Sequence, residues 1–95
     1  MYTAVLFRAY PNGDVIALFP ELPADDHASH CQSFEHVGQH GAAAPYHVVR
    51  STRPALPSEY RALRKELETR GYHLNEYKRI TAKMHQERHA AVRDY

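Results

Sequence analysis

No tryptophan and only one cysteine, Cys31, stand in this chain of 95 residues. A single thiol rules out an internal disulfide. Small secreted domains usually depend on such staples, so a reducing cytoplasm is the expected setting. Long apolar runs are missing too: no stretch approaches the roughly 20 residues that a membrane-spanning helix needs. The apolar start is cut by Arg8 before a cleavage-like site appears, so no signal peptide is expected. Blocks of like charge are absent, with 12 Lys and Arg against 11 Asp and Glu for a net charge of +1. Residues 1–57 carry three basic and five acidic side chains, and residues 58–95 carry nine and six. That mild gradient falls short of the basic stripe that neutralises successive phosphates, so direct nucleic-acid binding is not expected. Without repeats or low-complexity tracts, a chain this short reads as one domain, 1–95, with a core of about two layers.

What is present reads as alternating strand and helix signals. Tyr2–Ala9 is rich in β-branched, aromatic and aliphatic residues, and Pro11-Asn12-Gly13-Asp14 supplies turn chemistry. Val15–Phe19 is a continuous apolar run, so the two segments predict an N-terminal β-hairpin with a buried second strand. Pro20–Ser29 reads as loop, Cys31–Val37 as a third strand, Gly38–Pro45 as loop and Tyr46–Ser51 as a short fourth strand. Pro57 suits the first position of a helix that runs to about Arg70, with Gly71 as its C-terminal cap. Tyr60, Leu63 and Leu67 make the apolar stripe of that helix. Tyr72–Tyr77 returns as a strand. A last helix, capped by Thr81 and reaching about Arg93, has only the thin stripe Ile80, Met84 and Ala91, which predicts a surface helix or one that packs against another copy. The expected fold class is α+β. Its small antiparallel sheet has three to five strands, one helix on a face and a C-terminal surface helix.

Five of the eight histidines fall between His27 and His47, around the segment His36-Val37-Gly38-Gln39-His40-Gly41. Histidine titrates near neutrality and is the commonest metal ligand, so three chemistries compete there. Cys31, His36 and His40 could hold zinc with His30 or His47 as a fourth ligand, although their spacing matches no zinc signature. Two histidines could serve as acid and base of a hydrolase; Ser33 and Glu35 would point away from His36 in a strand, so they do not complete a nucleophile pair. Gly38 and Gly41 could bring backbone N–H groups to a ligand, with His36, Gln39 and His40 adding hydrogen bonds, Tyr46 stacking, and Arg53 meeting an anionic group. The plain alternative is a turn whose glycines supply positive φ. No catalytic residue and no cofactor is assigned, zinc being the one alternative.

The order Phe7-Arg8, then Gly13-Asp14-Val15-Ile16-Ala17-Leu18-Phe19-Pro20, followed by Cys31–Glu35 and His36-Val37-Gly38-Gln39-His40-Gly41-Ala42-Ala43, resembles a group of small uncharacterised proteins of bacteriophages and prophages. The likeness continues through Pro54-Ala55, Glu59-Tyr60, Leu63, Lys65–Glu68 and Gly71-Tyr72, to about Leu74. It departs at Leu56, where the group carries Thr ahead of the helix-starting Pro57. The resemblance implies a phage context, in which small accessory proteins often block host immunity. The expectation that follows is a cytoplasmic binder of a host defence factor, of anti-CRISPR type. Its contact surface would include His36, Gly38, Gln39, His40, Gly41, Tyr46 and Arg53. A sponge for an anionic nucleotide is the alternative, and a small zinc- or histidine-dependent hydrolase is a further one. Self-association through the Ile80–Val92 helix is also open.

Overall fold

A computed structural model of the chain describes residues 2–35 and 39–93, with backbone alone at Gln39 and Arg93. Strands β1 (Thr3–Ala9) and β2 (Val15–Pro23) form the expected hairpin, with Leu6 opposite Leu18 and Phe7 opposite Ala17. Gly13 takes φ +93°, which its missing side chain permits, and the Asn12 side chain accepts from the Asp14 N–H at 3.0 Å to close the turn. Strand β3 (Cys31–Glu35) pairs antiparallel with β2, and β4 (Gln39–Ala43) pairs antiparallel with β3. The sheet order is β4-β3-β2-β1-β5, where β5 is Arg53–Pro54. Strand β6 (Leu74–Glu76) runs parallel to β1 along the same edge as β5. The fold is α+β, with an antiparallel sheet apart from that one pairing.

Both faces of the sheet are covered, so the domain has three layers where two were expected. Helix α2 (Pro57–Thr69) lays Tyr60, Leu63 and Leu67 over Val5, Phe7, Ala17, Phe19 and Phe34. Phe7 stacks on Tyr60 with ring centroids 4.4 Å apart. On the second face, Ala4, Leu6, Ile16, Leu18 and Cys31 meet Val48 of α1 (Pro45–Ser51) and Met84 of α3 (Ala82–Arg93). Alternating residues of β1 thus feed two cores, which explains why that strand is apolar along nearly its whole length.

Three local expectations change. Tyr46–Ser51 is helical because Pro45 sets the first helical φ and Val48 then falls on the buried side; two adjacent valines had suggested a strand. Residues 39–43 form a strand although Gly and Ala have little intrinsic preference for one; pairing with β3 decides it. Gly41 lacks positive φ, and its role is contact: a Cβ there would lie 3.1 Å from Ser33 Oγ. The C-terminal helix lies on the surface, as its thin stripe predicted, and also anchors itself through a buried arginine. Arg88 is 1 % exposed and donates to the carbonyls of Ala28 (2.9 Å) and Pro20 (2.7 Å). Counting only apolar residues along that helix missed it.

Candidate functional site

Among the described residues, no strand pairs with the outer side of β4, so the sheet ends there in open main-chain groups. Natural edge strands are usually blunted by charge, proline or a bulge. This one reads Gln39-His40-Gly41-Ala42-Ala43, with none of these. Side chains alternate across it: Gly41 and Ala43 stand opposite Ser33 and Cys31 toward the α1–α3 face, while His40 stands opposite Phe34 toward the α2 face. His40 packs edge-on against the Phe34 ring at 4.7 Å, and the Arg70 guanidinium covers that ring at 5.0 Å.

Two hollows flank this rib. The first, about 360 Å³, lies where the second helical layer stops, between β3–β4 and α1. Ile16, Ser33, Gly41 and Val48 line it, and Tyr10 and Glu35 stand with them. Among the described residues, its lining carries one carboxylate and no Lys or Arg. Burial first, and the Glu35 charge second, raise the Tyr10 phenol above its ordinary range. The second, about 470 Å³ and more open, is lined by Pro23, Ala24, Gln32 and the same His40, Gly41 and Ala42.

The residues singled out from sequence do not all come together. His40 and Gly41 sit on the rib; His36 and Gly38, and the side chain of Gln39, lie outside the described residues. Tyr46 is exposed on α1, where its hydroxyl meets His85 Nδ1 at 3.1 Å, so it engages α3. Arg53 is at the opposite edge of the sheet, in a two-pronged bond to Glu59 with both distances 2.7 Å. Cys31 and His40 face opposite sides of the sheet, Cys31 fully buried and His40 exposed, which keeps them from sharing one ion. Among the described residues, no group of three or more His, Cys, Asp or Glu stands close enough to hold a metal ion. Burial pushes the Cys31 thiol up to about 11, the nearby Arg88 opposing this only in part, so it is a neutral thiol at ordinary pH.

Asp25, Ser29 and His30 also gather, and their pattern is that of a closed loop. His30 Nδ1 meets both Ser29 Oγ (3.2 Å) and Asp25 Oδ2 (2.6 Å), so one ring nitrogen serves both partners. A proton relay needs the two nitrogens to face different groups. The bonds from Ser29 and His30 hold the Asp25 carboxyl well below the usual carboxylate range. Sequence reasoning weighed Glu35 only as a partner for His36, and missed Tyr10 and the open edge. The available signal was the run of small uncharged residues after a strand. No helix among the described residues is long and apolar enough to cross a membrane. No protein-family model matches the chain, and neither a curated protein nor a solved structure matches it.

Proposed function

We propose that this protein is a small non-catalytic binder that takes an extended segment of a partner protein onto the outer edge of β4. The open, uncharged edge carries this reading. Strand addition draws affinity from main-chain hydrogen bonds and specificity from hollows that receive alternate side chains, and β4 has a hollow on each side. A carboxylate beside the rib, with no Lys or Arg among the described residues of the first hollow, favours a protein segment over an anionic nucleotide there. The proposed partner is a host defence factor, met in the host cytoplasm in the manner of an anti-CRISPR protein, and the resemblance to small phage and prophage proteins is what supports that choice.

The test is plaque formation on bacteria with and without an active defence system, each expressing the chain. Wild type is expected to raise plaquing only in the defended strain. The double variant His40→Lys, Ala42→Lys places charge along the edge, as natural edges do, and is expected to abolish the effect while keeping its circular dichroism and melting curve. Full activity in that folded variant, or no effect of wild type in any defended host, would sink the proposal.

A further inference from the structure

The hollow between β4 and α1 has a property that the open edge alone does not confer. Glu35 is exposed at the end of β3 and pairs with no cation among the described residues. Glu35 and Tyr10 line a recess that Gly41, Ala42, Ala43 and Ala44 also line, with Gly41 two residues along β4 from Gln39, the register partner of Glu35. Among the described side chains, those of β4 on this face are the hydrogen of Gly41 and the methyl of Ala43, and neither fills the recess. Gly41 keeps it open, because a Cβ there already crowds Ser33 Oγ.

A strand added beside β4 would lie about 4.8 Å farther out, and its residue level with Gly41 would point to this same face. From there a short side chain ends over Gly41. A long one crosses the bare glycine and reaches the carboxylate on β3. Ile16, one strand farther in than Glu35, and Val48 give the recess apolar walls, and Glu35 on β3 gives it a charge. That matches a side chain with an aliphatic stem and a cationic head. Resting on the reading of β4 as a strand acceptor, we infer that the docked segment carries an arginine or lysine level with Gly41, its head bound by Glu35 and Tyr10.

The experiment is a nuclear magnetic resonance titration of the full chain, isotope-labelled, with the capped peptide acetyl-Thr-Val-Thr-Arg-Thr-Val-Thr-amide. The same peptide with norleucine in place of arginine is the comparison. The expected result is shifts of the Gly41, Ala42 and Ala43 amides with both peptides, and about fivefold tighter binding of the arginine peptide. Glu35→Gln, at an exposed position, should equalise the two, and added salt should narrow the preference on the unaltered chain. Equal affinities with β4 shifts would overturn the cation recess and leave strand docking standing. Absence of β4 shifts with either peptide would overturn strand docking and the recess with it. An arginine preference that survives both Glu35→Gln and high salt would also overturn the assignment to Glu35.

Discussion

Arg88 Nε donates to the Ala28 carbonyl over 2.9 Å, tying the last helix to the connection between β2 and β3. Ala28 is itself fully buried and holds a positive φ of 58°, a conformation that costs a non-glycine residue free energy. The same guanidinium donates to Pro20 and lies 3.2 Å from His85 Nδ1, so one side chain satisfies several acceptors at the core. Arg88→Met keeps much of the stem and removes every donor. It should cost about 3 kcal/mol, since each orphaned buried acceptor costs about 1–3 kcal/mol. Urea unfolding followed by circular dichroism measures this. A loss below about 0.5 kcal/mol, the range of ordinary surface substitutions, would show that water replaces the arginine without penalty.

Cys31 is fully buried with its thiol pushed up to about 11, so both access and ionisation oppose reaction. A maleimide at pH 8 should leave the native chain unlabelled and label it fully in urea, as read by intact mass. Fast labelling of the native chain would place Cys31 in an accessible site and reopen it as a nucleophile or metal ligand.

Helix α2 begins with half of a reciprocal cap. Glu59 Oε1 accepts from the Leu56 N–H at 2.8 Å, but the exposed Leu56 side chain has no oxygen to return the bond. Its backbone, at φ −79° and ψ 153°, is already extended as a capping residue requires. Leu56→Thr should therefore stabilise the fold by about 1 kcal/mol. An unchanged melting temperature would mean that the threonine hydroxyl points elsewhere.

The same Glu59 gives a pH dependence with a defined sign. Arg53 first, and the Leu56 N–H second, hold its carboxyl down to about 2, against an ordinary value of 4.5. A carboxyl depressed by folding stabilises the fold fully above its unfolded value, and the contribution fades as pH falls toward its folded value. Glu59→Gln should accordingly be less stable than wild type at pH 7, with the gap closing between about pH 4.5 and 2. Melting curves across that range check it; a gap independent of pH would assign the effect to packing.

Where local chemistry decides, residue order alone is enough. The turn Pro11-Asn12-Gly13-Asp14, the stripe Tyr60, Leu63 and Leu67, and Gly71 at φ +102° after α2 all follow from their own neighbours in the chain. Where a distant partner decides, residue order is silent. Strand β4 has poor intrinsic preference and exists through β3; α3 looks unanchored until Arg88 meets carbonyls 60 and 68 positions away. Of the histidine segment, His40 and Gly41 line both hollows beside the open edge. Of the other residues of that expected surface, Arg53 stands on β5 at the opposite edge of the sheet and engages Glu59 of α2, while Tyr46, exposed on α1, bonds His85 of α3.

Gly41 and Ser33 offer a last test, because their contact fixes the floor of the hollow. A Cβ at 41 would sit 3.1 Å from Ser33 Oγ, closer than side chains ordinarily approach, while Gly→Ala in a strand otherwise gains about 0.5–1 kcal/mol. Gly41→Ala alone should therefore gain nothing or lose stability. In a Ser33→Ala background the crowding oxygen is gone, and the same change should become stabilising by about 0.5 kcal/mol. The difference between the two backgrounds is the coupling energy of the pair. If both backgrounds respond alike, Ser33 simply rotates aside, and the glycine is there to leave the hollow empty rather than to fit its neighbour.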